Sequence, residues 1–455
     1  MPGRGGVVPG AAVIAGGRGE GGAISPSVTR WVVLLCVLVF TLEGTDIQLL
    51  AFAAPVLLKE WGLRQVDLAP ALAAASVGMI AGSAVGGILG DLFGRRRVML
   101  VSVASFGLCA MLSGMAVNLQ HLELLRLVGG LGFGAVFPCV FSLVSELTPP
   151  GLQGRYVTIT TLGVPLGSMV GALGVGWALP LFGWRICFYA AGALTLAVSI
   201  LLVMKLPESP AYLQTRALRP KPAEASRTVA SLPARDIPQQ RMRTSLRGVF
   251  QLGYGRRTFG LWIASFALGY VNYAFSHWGP TMLTMSGLSL RASIMSNFFV
   301  GLFMAIAPFA MAWGLARFGS RTSMLSGIAL YALAAILFGI VLPRFPGESE
   351  PVRTAAVMAA LSLVGFAVGA TTSGLYALSA YAYPPDCRST GSGLSTAVGR
   401  LGSAATAFGS AIVLGRAGGG PTGIVVIAVG GLAIAAASTL VIDRHIAPNR
   451  SERGV

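Results

Sequence analysis

Apolar runs of about 20 residues, the length at which a helix crosses ~30 Å of hydrocarbon, follow one another along nearly the whole chain. They fall near 31–57, 68–90, 97–117, 122–147, 156–180 and 184–204, and resume near 258–285, 293–315, 322–343, 354–381, 389–413 and 421–442. Runs this long and unbroken belong to helices, which satisfy every backbone hydrogen bond internally, and not to the short alternating strands of a barrel. A water-soluble fold would need a polar shell, and only 11% of the 455 residues are charged while 54% are hydrophobic, with a mean hydropathy of +0.74. The expectation is an all-α membrane protein with twelve transmembrane helices in two six-helix bundles.

Charge placement sets the orientation. The net charge of +17 comes from basic residues in short connectors and in one central segment, 205–257, which holds 11 of the 33 Lys and Arg against three acids, Glu208, Glu224 and Asp236. Few aromatics are interleaved with them, so positive-inside topology accounts for the charge better than nucleic-acid binding does. "GRRR" at 94–97, Arg155, Arg317, Arg321 and Arg388 share one face under this count, and the opposite connectors are acid-balanced, as in "GESE" at 347–350. Both termini are therefore expected on the cytoplasmic side of a plasma membrane, the inner membrane in a bacterium. The expected organisation is a disordered, retained tail at 1–29, a first bundle at 30–204, the basic linker at 205–257, a second bundle at 258–443 and a short tail at 444–455. Cys36, Cys109, Cys139, Cys187 and Cys387 lie in or beside spans with no CxxC pair and no histidine at ligand spacing, so they read as small buried residues and no metal site is expected.

Two connectors recur. "GILGDLFGRRR" from Gly87 is echoed by "AWGLARFGSR" from Ala312, and "TPPGLQGR" at 148–155 by "YPPDCR" at 383–388, at offsets near 225 and 235. A parallel six-helix repeat follows, of the kind that places a substrate site near the membrane midplane.

Within the spans the ionisable residues reduce to Glu43, Asp46, Arg126, His277 and Arg400. Each charge near a helix centre costs ~2.5 to 3.5 kcal/mol on insertion scales, so each needs a partner or a wet cavity. At ~1.5 Å per residue Asp46 lies roughly 16 Å, and Arg126 roughly 6 Å, below the outer ends of their spans, a difference that the two side chains can bridge between them. Glu43 and Asp46, at i and i+3, share a helix face and repel if both are ionised, a coupling suited to carrying a proton. Arg400 sits roughly 16 Å into its span with no acid in that span. Its planar fork suits capture of a substrate carboxylate, and a structural tie to Glu43, Asp46 or backbone carbonyls is the alternative. His277, with Tyr273 and Trp278 in "YVNYAFSHWGP", offers aromatic and polar contact for a flat organic substrate, or else belongs to an interfacial belt.

The pattern G-x-x-x-D-x-x-G-R-R formed by Gly87, Asp91, Gly94, Arg95 and Arg96 resembles the signature of the major facilitator superfamily. "EGTDIQ" in the first span, "RLVGGLGFGAVFPCVFSLVSE" from Arg126, "LPESPAYL" from Leu206, "HWGPTML" from His277 and "YPPDCRSTGSGLSTAVGRLG" from Tyr383 together resemble the aromatic acid/proton symporter family. The resemblance implies import of an aromatic carboxylate with protons, with Glu43, Asp46, Arg126, Glu146, Arg388 and Arg400 at positions that matter for transport. Glu146 and Arg388, at cytoplasmic span ends, go with the signature loop to an inner gate. The chain departs from the family in its first span, where Glu43-Gly44-Thr45-Asp46 stands for Asp-Gly-Tyr/Phe-Asp, and in its second-half loop, where Ala316 stands opposite Asp91. In "LPESPAYL", Ser209 and Pro210 fit the N-cap and first turn of a short helix.

The reading is a proton-coupled importer of benzoate, hydroxybenzoate or phenylpropionate-type acids, acting as a monomer in membrane lipid by alternating access. Importers of other organic anions or sugars, and an efflux antiporter of the same fold, are the alternatives; against efflux, "LGVPLGSMVG" has Val164 where those proteins carry a glycine before the proline. His121, His277 and His445 are scattered, and no nucleophile motif or phosphate-binding loop is present, so neither enzymatic activity nor a cofactor is expected.

Overall fold

The computed structural model describes residues 26–149, 153–210, 212–213, 255–343, 350–383, 388–415, 420–443 and 445–446. Residues 1–25 of the expected tail, nearly all of the linker, Cys387 and most of the expected C-terminal tail lie outside the described residues, as do the side chains of Asp91 and Arg388. Among the described residues there is no strand. The helices are α1 (Pro26–Glu60), α2 (Gln65–Phe93), α3 (Arg95–Ser113), α4 (Leu119–Glu146), α5 (Gln153–Thr161), α6 (Gly163–Lys205), α7 (Gly255–Met285), α8 (Leu290–Val341), α9 (Glu350–Ala382), α10 (Arg388–Gly415) and α11 (Gly420–Val441). Helix α1 thus takes in residues 26–29, which the sequence reading left in the tail.

Nine helical stretches among the described residues are long and apolar enough to cross a membrane. Two of them, Tyr156–Lys205 and Leu290–Val341, run 50 and 52 residues. At ~1.5 Å per residue each is far longer than a single ~30 Å crossing needs. They are interrupted at Gly183 (φ 78°) and at Gly319 (φ 79°), and the first also at Leu162, between α5 and α6. Large apolar side chains such as Val101, Leu181 and Phe309 stand exposed on the outer faces, where a soluble protein would keep them covered and a bilayer would bathe them.

The chain divides into two compact units. Among the described residues, one holds those up to Asp46, Val77–Gly167 and those from Arg185 to the linker; the other holds Ile47–Ser76, Ser168–Trp184 and everything after the linker. In the first unit, glycines bring backbones together: a Cβ on Gly78 or Gly82 of α2 would lie 2.2 or 2.1 Å from the Leu127 or Leu131 carbonyl oxygen of α4. Small residues supply this intimacy where lipid removes the hydrophobic drive for helices to associate.

The packing repeats. Gly44 of α1 lies against the Val164 carbonyl, and 225 positions later Gly269 of α7 lies against the carbonyl of Gly399, 235 positions after Val164. Gly167 on Thr41 is matched in the same way by Gly402 on Phe266, and Gly134 on Met79 by Gly369 on Met304. All six residues with positive φ among those described are glycines, and they pair as Gly62 with Gly287, Gly94 with Gly319 and Gly183 with Gly420. Only glycine adopts this backbone without strain, so the turns of the two halves are made alike. Leu63 N–H donates to the Leu58 carbonyl, and Leu288 N–H, 225 positions on, to that of Leu283. The offsets near 225 and 235 that two loop sequences suggest therefore run through the helix contacts as well.

Candidate functional site

Helix α1 carries Glu43 and Asp46 into the first unit, both buried. Arg126 of α4 meets Asp46 with both terminal nitrogens, Nη1 to Oδ2 at 2.7 Å and Nη2 to Oδ1 at 3.2 Å, and the side chains are 5% and 9% exposed. This fork-on-carboxylate geometry is the strongest form of the pair. The Arg126 guanidinium also lies 5.0 Å from the centre of the Phe188 ring. Gly44 between the two acids gives room for the α6 backbone: a Cβ there would stand 2.0 Å from the Val164 oxygen. Thr45 Oγ1 donates to the Gly167 carbonyl at 2.9 Å and holds the same crossing.

At the far end of this unit the signature loop is built into a network. Gly94 (φ 99°) turns the chain from α2 into α3. Arg95 forms an ion pair with Glu146 at the end of α4 and donates to Ser209 Oγ at 3.0 Å. The Arg96 amide donates to Glu208 at 2.9 Å, and Arg96 Nη2 to the Val203 carbonyl at 2.6 Å. Ser209 also donates to Glu146, and its Oγ accepts the Tyr212 amide at 3.1 Å, the N-cap contact expected from "LPESPAYL". Gly87 sits in ordinary contact with Pro138. The second half makes its matching turn at Gly319 in a related way: the Ser320 amide donates to the Ile446 carbonyl at 2.9 Å, and Ser320 Oγ accepts the Ile446 amide and contacts His445 Nδ1. In each half the chain that follows the last helix secures the turn.

Arg400, Tyr273, His277 and Trp278 all lie in the second unit. Arg400 is half-buried on α10, beside the Gly269–Gly399 crossing with α7. His277 and Trp278 are buried, and Tyr273 meets the His277 ring edge-on at 4.9 Å. His277 Nδ1, Trp278 Nε1 and Thr281 Oγ1 have no hydrogen-bond partner among the described residues. The same unit contains a polar contact that sequence reasoning missed: Gln48 of α1 donates to Ser168 Oγ of α6 at 3.2 Å and to Asn297 Oδ1 of α8 at 3.5 Å. Arg353 of α9 was missed too, a buried arginine donating to the carbonyls of Ser286 and Leu342.

The four described cysteines are buried, and no group of His, Cys, Asp and Glu that could hold a metal occurs among the described residues.

The repeat shows which of these residues packing requires. By the offsets of 225 for α1 and 235 for α4 and α6, the counterparts of Asp46, Arg126 and Arg400 are Val271, Leu361 and Pro165, and that of Glu43 is Leu268. The same helix crossings form in the opposite half with none of these charges.

The family model of the Major Facilitator Superfamily matches residues 36–407. The chain belongs to this superfamily. It is 30% identical over 404 residues to a 4-hydroxybenzoate transporter of Pseudomonas aeruginosa, covering 86% of this chain and 87% of that one. To a 3-(3-hydroxy-phenyl)propionate transporter of Escherichia coli K12 it is 27% identical, covering 90% and 92%. Among solved structures a D-xylose-proton symporter matches at a TM-score of 0.70 and 16% identity, covering 93% of this chain and 99% of that one, which speaks for the fold alone. This facilitator is therefore a multi-pass membrane transporter and not an enzyme, and its relatives put it in the aromatic acid:proton symporter family.

Proposed function

We propose that this facilitator is a proton-coupled importer of aromatic carboxylates that works by alternating access. The observation that carries the reading is the asymmetry of charge on a symmetric frame: Glu43, Asp46 and Arg126 in one half and Arg400 in the other occupy positions where the repeat manages with apolar residues or proline. Intramembrane charges that packing does not need, and that cost ~2.5 to 3.5 kcal/mol each to insert, belong to transport. The relatives' names supply the substrate class, since both are transporters of aromatic carboxylates.

Counting the stretches on either side of Gly183 and Gly319 separately brings the nine to eleven, and α7, which is not among the nine, makes twelve spans, with both termini on the cytoplasmic side of a bacterial inner membrane. The bundles are 30–204 and 258–443, joined by the basic linker, and the protein acts as a monomer. Arg400 takes the substrate carboxylate; Tyr273, His277 and Trp278 contact the ring. Asp46, coupled to Glu43 and Arg126, carries the proton, since a carboxylate in a buried pair changes its affinity for a proton when the pair opens. Gly87, Asp91, Gly94, Arg95, Arg96, Glu146 and Arg388 form the inner gate.

Uptake of labelled 4-hydroxybenzoate into proteoliposomes with an acidic exterior tests this. Arg400→Ala should abolish uptake, and retained saturable uptake would remove Arg400 from the substrate role. Asp46→Asn should leave substrate binding measurable while accumulation ceases to follow the pH gradient; unchanged pH-driven accumulation would reassign the proton.

A further inference from the structure

We propose that the face of α7 bearing His277 and Thr281 reads a hydroxyl on the substrate ring, so that the site selects hydroxylated over unsubstituted aromatic carboxylates; this rests on the aromatic-carboxylate reading above. Tyr273, His277 and Thr281 recur at i, i+4 and i+8 and so line one face of the helix. His277 is 4% and Thr281 2% exposed, and His277 Nδ1 and Thr281 Oγ1 lack any hydrogen-bond partner among the described residues. A buried polar group left unsatisfied costs ~1 to 3 kcal/mol, and native interiors hold few of them. Two on successive turns of one face call for a group that completes both.

Packing does not ask for these polar atoms. The residues 225 positions earlier, where α1 occupies the place of α7, are Phe52 and Val56, which fill the same positions with hydrocarbon. Helix α7 also carries a proline nearby: Pro280 has no N–H to give to the Ser276 carbonyl, which loosens the turn on which His277 sits. The ligand chemistry follows from the donor set. A threonine hydroxyl donates or accepts, and imidazole Nδ1 does either according to tautomer. A phenolic hydroxyl, itself donor and acceptor, pairs with both at once.

The spacing suits a molecule that is also held at Arg400. Gly269 lies against Gly399, so the Arg400 backbone is level with that part of α7. His277 stands eight residues further along, roughly 12 Å at ~1.5 Å per residue. An extended arginine side chain followed by one aromatic ring with its carboxylate spans that interval.

The test compares uptake of benzoate with that of 3- and 4-hydroxybenzoate by the purified protein in proteoliposomes, for the wild type, Thr281→Val and His277→Phe. Thr281→Val keeps the shape and removes only the hydroxyl. The expected wild-type preference for a hydroxylated acid is at least about 100-fold in kcat/KM, since a site that pairs a substrate hydroxyl rejects the analogue lacking it. Thr281→Val should lower that preference by about 10-fold or more, through loss on the hydroxylated acids and with benzoate unchanged, and His277→Phe should lower it in the same direction by costing the hydroxylated acids more than benzoate. Equal wild-type uptake of all three acids, or losses in the variants that fall equally on benzoate, would overturn the proposal and leave the two groups to water or to structure. Uptake of none of the three would instead overturn the aromatic-carboxylate reading beneath it.

Discussion

Removing one partner of the buried Asp46–Arg126 pair leaves an uncompensated charge, and that single fact orders the variants at this site. Arg126→Ala should lower unfolding stability by about 3 to 5 kcal/mol, read as a fall in the thermal midpoint of the purified protein. The double variant Asp46→Val with Arg126→Leu, which copies the counterparts Val271 and Leu361, should recover most of that midpoint yet show no uptake. A double variant as unstable as the single one would mean that the pair holds the fold. Glu43, Asp46, Arg126 and Arg400 were legible in the sequence because a charge inside an apolar run has a cost that demands a reason. Arg353 was not, because its partners are the carbonyls of Ser286 and Leu342, which composition does not reveal. Thr281 and Gln48 escaped notice for a related reason: small or neutral polar residues are common in membrane helices, and only their surroundings distinguish a satisfied one from an orphan.

At the scale of helices, the close crossings decide what can change. Gly44→Ala would drive a Cβ into the Val164 carbonyl, and nothing there is a flexible side-chain tip, so α1 and α6 must part. The expected result is loss of monodisperse protein on size exclusion; a well-behaved Gly44→Ala protein would show that the crossing can widen. At the end of α11, Asp443 accepts two hydrogen bonds from Arg257 at 3.1 and 2.9 Å, which, above all other causes, lower its pKa. Burial lowers that of His445, outweighing its backbone hydrogen bonds, and the Arg321 charge acts in the same direction. For both groups the folded value lies below the unfolded one, so their contributions are complete above the unfolded pKa, ~3.9 for Asp and ~6.5 for His, and are lost as pH falls through the folded value. Between pH 7 and pH 5, His445→Ala should lose less of its thermal midpoint than the wild type, and Asp443→Asn should separate from it only on further acidification. An identical fall in all three proteins would rule the segment out as a source of acid sensitivity. The helices themselves were readable from run length. So were the separate stretches on either side of Gly183 in α6 and of Gly319 in α8, where one glycine at positive φ breaks the helix.

Over the whole molecule, the part of α1 beyond Asp46, the start of α2 and the middle of α6 group with the helices that follow the linker. Gln48 donates to both Ser168 and Asn297, Ser76 meets Ser403 at 3.2 Å, and Gly176 packs on Met295. A transporter that alternates access must break such contacts between its repeats once per cycle. With the native cysteines replaced, oxidation of a Gln48→Cys, Asn297→Cys protein should stop uptake and reduction should restore it; full uptake while cross-linked would show that this contact stays closed throughout. The Asp46–Arg126 pair has one more consequence, for how the protein is made. The arginine follows its partner by 80 residues, so at ~5 to 20 residues per second the ribosome supplies it several seconds after Asp46 has been synthesised. Until then the first helix must enter the bilayer on the strength of its remaining apolar residues, with its carboxylates protonated or still waiting in the translocon, and only the arrival of the fourth span allows the charge to settle.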